Sequence, residues 1–111
     1  MPTEIVLLSE VELTSLTMIR AGAVEHPNGT LIEYRGGEIR QLVDEDGRAL
    51  LSAYRSRPVA VAREAAAAIV DPPAAFGLWT DLCIPFGDPT AGRAVAEAIA
   101  GAVGGVIRDR I

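Results

Sequence analysis

The chain has 111 residues, of which half are apolar and 23% are charged, and its formal net charge at pH 7 is −5. These values indicate one folded domain, residues 1–111, and an acidic surface that disfavours nucleic acid and anionic lipid as ligands. A lone cysteine, Cys83, excludes a disulfide within the chain, and the first residues lack the pattern of a secretion signal. The longest weakly polar stretch, 94–107, is too short to span a bilayer. We therefore expect a cytoplasmic protein that binds neither nucleic acid nor membrane.

The first predicted elements are a strand and a helix. Ile5 to Leu8 are β-branched and aliphatic residues, typical of a buried strand. Ser9 followed by Glu12 matches a capping box, and Gly22 suits a helix end, which favours a helix over about residues 10–21. The same segment holds three β-branched residues that suit a strand, so this alternative stays open: Thr14, Thr17 and Ile19.

Two turn signals divide residues 30–55 into a predicted meander of three strands. The first signal is Gly36-Gly37, expected to form a two-residue turn, and the second is the segment from Asp44 to Gly47. Opposite charges then face each other across the first turn. The predicted cross-strand pairs are Glu33 with Arg40, Leu31 with Leu42, Val43 with Arg48, Leu42 with Ala49 and Arg40 with Leu51.

Alternation along the meander separates two faces. The face expected to lie in the core carries Ile32, Tyr34, Ile39, Val43, Leu50 and Tyr54. The other face carries charged side chains near the Gly-Gly turn and, further from it, a leucine patch made of Leu31, Leu42 and Leu51. Because these leucines are apolar, we expect something to cover them.

The second half of the chain is predicted to form a helix, a strand and a final helix. Good helix formers occupy residues 62–70, and residues 78–84 alternate as a strand does. Asp88 and Pro89 are typical of a helix start, and apolar spacing continues the last helix nearly to the chain end, with a kink or stop near Gly104 as the alternative. One side of the predicted strand carries Trp79, Asp81 and Cys83.

These elements predict an α+β fold. The sheet is expected to be antiparallel or mixed, with about five strands and the meander at residues 30–55 in its centre. Two or three helices are expected to pack on one face of it. No repeat or linker divides the chain.

The chemistry-bearing residues predict no metal site and no cofactor. A tetrahedral metal site needs several converging His, Cys or carboxylate ligands, whereas this chain has one His and one Cys. His26 and Cys83 lie in segments predicted as different elements, which disfavours a nucleophile–base pair. Arg55 and Arg57 are more simply explained by surface ion pairs than by an anion site. Whether the chain is an enzyme stays open, and the balance is against it.

The first functional hypothesis is a non-catalytic protein-interaction domain, for example an immunity-type or antitoxin-type inhibitor that binds a basic partner protein. Small size and acidic charge suit such proteins, because opposite charge speeds association and a buried apolar cluster holds the complex. The expected contacts are the acids of the second turn and the leucine patch: Asp44, Glu45, Asp46, Leu31, Leu42 and Leu51.

The alternative hypothesis is a small homo-oligomeric enzyme or ligand-binding domain. Its pocket would lie near Trp79, Asp81 and Cys83, with the indole as a wall and the carboxylate as a polar anchor. Asp81 interrupts an apolar run and must be exposed, hydrogen-bonded or paired with an arginine. A homodimer would let His26 of a second chain approach Cys83.

Overall fold

An antiparallel sheet forms the centre of the computed structural model, which describes residues 2–85, 87 and 89–111. Its strands are β1 Thr3–Ser9, β2 Thr30–Tyr34, β3 Ile39–Val43, β4 Ala49–Tyr54, β5 Arg57–Pro58, β6 Leu78–Ile84 and β7 Val106–Asp109. The order across the sheet is β2-β3-β4-β6-β1-β7, and β5 pairs with β6. The helices are α1 Ser15–Glu25, α2 Ala62–Ala66 and α3 Thr90–Val103. The predicted α+β class is confirmed, with more strands than the five expected and with the meander at one edge of the sheet rather than in its centre.

The two longer helices, α1 and α3, pack on one side of the sheet, which we call the helix face. The large core lies between them and the strands, and it includes Ile5, Leu7, Met18, Leu51, Leu82, Val95 and Ile99. Helix α2 lies on the opposite face, as part of a smaller core with Val6, Leu8, Ile69, Phe76 and Trp79. Two helices therefore share one face, as predicted, and the third covers part of the other.

Helix α1 begins five residues later than the capping box predicts. Thr14 is its N-cap, and the Thr14 hydroxyl accepts a hydrogen bond from the Thr17 backbone N–H at 3.2 Å. Ser9 instead donates to the Val11 carbonyl at 2.7 Å, so the predicted Ser9–Glu12 cap is wrong. A helix rather than a strand in this segment is confirmed, and it continues through Gly22 to Glu25.

The pairing of β2 with β3 follows the predicted register. Glu33 lies opposite Arg40 and Leu31 lies opposite Leu42. The connection is a 3₁₀ turn over Arg35–Gly37 rather than the predicted two-residue turn, and in it the Glu38 N–H donates to the Arg35 carbonyl at 3.4 Å. Gly36 and Gly37 both have positive φ there, which explains why glycines occupy the turn.

The pairing of β3 with β4 differs from the predicted register. Leu42 lies opposite Leu51 and Val43 lies opposite Ala49, so Leu50 is an extra residue in a β-bulge. The predicted pairs of Val43 with Arg48, Leu42 with Ala49 and Arg40 with Leu51 are wrong for two reasons. The turn between β3 and β4 is one residue longer than predicted, and a sequence pattern of period two cannot show the residue that the bulge inserts. The bulge turns Leu50 into the large core, where it is 7% exposed.

The two faces of the meander are largely the reverse of those predicted, although Val43 and Leu50, expected in the core, are buried. Leu42 and Leu51 are buried on the helix face and Leu31 packs against them. Helices α1 and α3 thus provide the cover expected for the leucine patch, which is therefore not exposed to a partner. Ile32, Tyr34 and Tyr54, expected in the core, are exposed on the other face. That face also carries two polar residues, Gln41 and Ser52. The face with the leucines is therefore the more apolar of the two, which is the physical reason why the core covers it.

The last helix ends before the predicted position. Gly104, in the left-handed conformation at φ 66°, caps α3, and the chain then forms β7 against β1. The predicted helix nearly to the chain end is therefore wrong, and the alternative of a stop near Gly104 is confirmed. The predicted N-cap of this helix, Asp88, lies outside the described residues. Helix α2 is likewise shorter than the predicted 62–70.

Candidate functional site

The side of the β2–β3–β4 meander that faces away from α1 and α3 is uncovered in the described part of the chain. We call this surface the open face and define it by Ile32, Tyr34, Ile39 and Tyr54. Tyr34, Ile39 and Tyr54 lie opposite one another across three strands, which makes a continuous apolar row. Ile32, Tyr34 and Tyr54 are 38%, 45% and 42% exposed. The row stands on a paired sheet, so its side chains have fixed spacing.

A polar row runs beside the apolar one on the open face. Gln41 donates from its amide nitrogen to the Ser52 hydroxyl at 3.2 Å, and the Tyr34 hydroxyl lies 3.5 Å from the Gln41 amide oxygen. These contacts hold the Gln41 and Tyr34 side chains across neighbouring strands. The amide and hydroxyl groups of this row can also hydrogen-bond with water, so the open face can stay solvent-exposed although it carries two tyrosine rings.

One end of the open face is basic. A shallow cleft of about 380 Å³ lies there, lined by Tyr54, Asp81, Glu38 and three arginines: Arg35, Arg55 and Arg57. Arg57 forms an ion pair with Asp81 at 3.0 Å. Within the described residues, the side chains of Arg35 and Arg55 form no hydrogen bond or ion pair.

The opposite end of the meander is acidic, because the β3–β4 turn holds the three predicted contact acids. Asp44 Oδ1 accepts hydrogen bonds from the backbone N–H groups of Asp46 and Arg48, both at 2.9 Å, and these bonds hold the Asp44 pKa below its usual value. The Glu45 pKa is also lowered, by its own backbone N–H and by His26 at 3.3 Å. The Asp44 side chain thus stabilises the β3–β4 turn in which it lies. Since the leucines expected beside these acids are buried, the structure does not bring the predicted patch together.

The Trp79, Asp81 and Cys83 side chains share one side of β6, as predicted. Asp81 and Cys83 line a cleft of about 250 Å³ there, whereas Trp79 lines a separate cleft. Trp79 is buried in the smaller core, and its indole N–H donates to Asp81 Oδ1 at 2.9 Å. Arg57 and Arg110 both bind the same carboxylate, Arg110 at 3.2 Å. Arg110 also lies 5.9 Å from the Trp79 ring centroid. Asp81 is therefore a paired carboxylate that joins β6, β5 and the chain end.

Cys83 and His26 lie in different parts of the fold. His26 follows α1 and binds Glu45, whereas Cys83 lies in β6 opposite Glu4 and Ser52. Burial, together with the negative charge of Glu4, raises the pKa of the Cys83 thiol. A raised pKa keeps the thiol protonated at neutral pH, so it is a weak nucleophile there.

Two features of the site were missed from the sequence. The predicted last helix includes Arg110, which falls at helical spacing from Val106, whereas in the structure the strand β7 brings Arg110 to Asp81. Arg40 belongs to the face predicted to be charged, yet it is 7% exposed and donates to the Leu13 carbonyl at 3.1 Å. Desolvation lowers the Arg40 pKa. The sequence signal that could have placed Arg110 outside the helix is Gly104, a residue typical of a helix end. The apolar spacing beyond Gly104 favoured a longer helix instead.

Among residues 2–85, 87 and 89–111, no three His, Cys, Asp or Glu side chains lie together in a way that would hold a metal ion. In the same part of the chain, no helix has the length and apolar character needed to cross a membrane. Comparisons with protein-family models, with curated proteins and with solved structures found no match.

Proposed function

We propose that this chain is a non-catalytic protein-interaction domain whose open face binds a basic partner protein, in the manner of an immunity-type or antitoxin-type inhibitor. The observation that carries the proposal is the uncovered row of Tyr34, Ile39 and Tyr54. Tyrosine is enriched at protein interfaces, because it buries a large rigid ring and keeps a hydroxyl for hydrogen bonding. This row replaces the leucine patch as the expected apolar contact.

The charges around the open face define the partner. The net charge of −5 attracts a basic protein at long range and speeds its approach. At the acidic end, Asp46 offers a carboxylate that accepts no hydrogen bond within the described residues, and Glu45 lies beside it. Arg35 and Arg55 at the other end fix the orientation. We therefore expect a net-basic partner with an apolar centre and a small acidic group at one edge.

The test begins with affinity capture from a lysate of the source organism, followed by identification of the bound protein by mass spectrometry. Binding of the purified pair is then measured by calorimetry for the wild type, Tyr54→Ala and Tyr34→Ala. If these tyrosines are hot spots, each change weakens binding at least about tenfold. Val70→Ala is the matched control, since Val70 is an exposed apolar residue outside the open face.

Two outcomes contradict the proposal. One is an identified stoichiometric partner whose affinity is the same for Tyr54→Ala, Tyr34→Ala and the wild type. The other is a captured protein that is acidic and whose association rate does not fall as salt rises, because charge steering of a basic partner is screened by salt.

A ligand-binding domain, or a small homo-oligomeric enzyme, is the second candidate function. The supporting observation is a cleft of about 360 Å³ between β5, α2 and Trp79, a volume within the range of small-molecule sites. A ligand that binds only the folded chain raises its melting temperature. A metabolite panel read by thermal unfolding and Trp79 fluorescence tests this function, with Val61→Lys at the cleft rim as the blocking variant. No shift across the panel would count against it.

A further inference from the structure

The two edge strands of the sheet, β2 and β7, are protected very differently. The outer edge of β7 is covered at its C-terminal end by residues 68–70, because the Val70 N–H donates to the Asp109 carbonyl and the Ile111 N–H donates to the Ala68 carbonyl, both at 2.9 Å. Strand β2 pairs with β3 on one side, and no described residue bonds to its outer backbone groups. Natural proteins usually cover or charge such an edge, since it is ready to pair with another strand.

Exposed apolar side chains flank the free edge of β2 on both faces of the sheet. Ile32 and Tyr34 lie on the open face. On the helix face, α1 runs over this edge, where Ser15 binds Glu33 and Ile19 lines a groove with Leu31. Ile19 is 48% exposed. The edge therefore offers both free backbone groups and apolar surface above and below them.

We propose that β2 pairs antiparallel with β2 of a second copy of this chain, about a two-fold axis at Ile32, so that the protein is a homodimer with one continuous sheet. A centre at Ile32 pairs all five residues of β2, Thr30–Tyr34, with those of the copy. It sets Ile32 against itself and Glu33 against Leu31. A centre at Glu33 would instead oppose two carboxylates, which destabilises a strand pair.

The charge distribution of the meander supports a second copy as the occupant. Along β2 the chain runs from the acidic end of the meander to the basic end, so antiparallel pairing places the basic end of each copy beside the acidic end of the other. With the centre at Ile32, Arg35 of the copy lies level with Gly29, and Asp44 lies one strand further. Arg35 of the copy and Asp44 are therefore two strand spacings apart, roughly 10 Å. This distance is about one Debye length at 0.1 M salt, so salt only partly screens their attraction.

The dimer goes beyond the proposed function and does not depend on it. In the extended sheet both open faces point to the same side, and each remains available to a partner. A monomeric chain that still bound its partner through Tyr54 would refute the dimer alone.

The first experiment is disulfide trapping in a Cys83→Ser background. Residues directly opposite in neighbouring strands have Cβ atoms about 4.5–5.5 Å apart, close to the separation that a disulfide needs. Ile32→Cys is expected to form a covalent dimer under mild oxidation. Thr30→Cys is the matched control, because the two Thr30 positions would be four residues apart along the strands, roughly 14 Å. Equal trapping of both variants, or none of Ile32→Cys, would overturn the proposal.

The second experiment is sedimentation velocity of the full chain over a range of concentrations. The wild type is expected to sediment as a dimer, and Ile32→Lys is expected to raise the dimer dissociation constant at least about tenfold. Val70→Lys, at another exposed apolar position, should leave the constant unchanged. Circular dichroism confirms that both variants fold. A monomeric wild type at every concentration, or equal weakening by both variants, would contradict the proposal.

Discussion

The two halves of the sheet differ in how many of their faces are covered. Strands β6, β1 and β7 have the large core on one face and the smaller core on the other, and residues 5–9 of β1 are buried without a break. Strands β2, β3 and β4 have the large core on the helix face alone, and their other face is exposed. Strands β6, β1 and β7 therefore contribute mainly to stability, whereas β2, β3 and β4 also carry an exposed, partly apolar surface. The following changes would break or sharpen this comparison.

The largest expected effect comes from comparing the two faces of one strand, β4. Leu51→Ala removes a completely buried side chain from the large core and should lower the free energy of unfolding by about 2–5 kcal/mol. Tyr54→Ala removes a side chain from the open face and should cost about 1 kcal/mol or less. Urea denaturation measures both. A larger cost for Tyr54→Ala than for Leu51→Ala would mean that the faces are assigned the wrong way round.

A second comparison concerns α3, which crosses both halves of the sheet. At Gly92 a Cβ would lie 2.6 Å from the Leu50 carbonyl oxygen of β4 and 2.7 Å from an Ile84 methyl of β6. Gly92→Ala should therefore destabilise the fold by about 1–3 kcal/mol. Gly101→Ala, where nothing lies within 4 Å, should stabilise it by about 0.5–1 kcal/mol. Thermal unfolding that shows the same sign for both would refute a close contact at Gly92.

The third change tests Asp81, which lies on β6 at the border between the covered and the open areas. Asp81→Ala leaves the buried Trp79 N–H without an acceptor and should cost about 1–3 kcal/mol. Asp81→Asn keeps an amide oxygen at this position and should cost less. Arg57→Ala removes only one exposed ion pair, so its cost should be at most about 1 kcal/mol. Equal costs for Asp81→Ala and Arg57→Ala in urea denaturation would contradict a structural role of the Trp79 bond.

The smallest effect is expected at the acidic end of the half-covered meander. The Asp44 pKa is lowered in the folded chain, so its carboxylate stabilises the fold above the ordinary aspartate pKa of about 3.9, and this contribution is lost as the pH falls through the lowered pKa. The stability difference between the wild type and Asp44→Asn should therefore shrink as the pH falls below about 4. Asp46→Asn, whose carboxylate accepts no hydrogen bond in the described chain, is the control. A difference that stays constant down to low pH would refute the charge effect.

The parts predicted correctly from the sequence are those with strong local signals. The run at β1, the alternation at β6 and the Gly-Gly turn each depend on residues close in the chain, so the strands and the β2–β3 register could be predicted. The β3–β4 register could not, because the turn is one residue longer than predicted and the bulge at Leu50 inserts another residue without a sequence marker. The strand β7 was hidden, since Val106 and Arg110 happen to continue the helical spacing of α3.

The candidate site divides in the same way. Alternation placed Trp79, Asp81 and Cys83 on one side of β6, but it could not supply Arg110, which reaches Asp81 only because β7 pairs with β1. The exposure of the open face could not be predicted from the sequence either. Both faces of the meander carry apolar residues, and their pattern alone does not say which one the helices cover.

By itself, the sequence determined most of the element types, though not the strand β7, and it determined the first hairpin with its cross-strand register. Backbone preferences and cross-strand neighbours act over short distances, which is why these features could be predicted. The tertiary structure alone decided that α1 and α3 cover the leucines and that Tyr34 and Tyr54 stay exposed. That choice depends on which combination of faces buries the most apolar area in the whole chain, and this sum includes residues far apart in sequence.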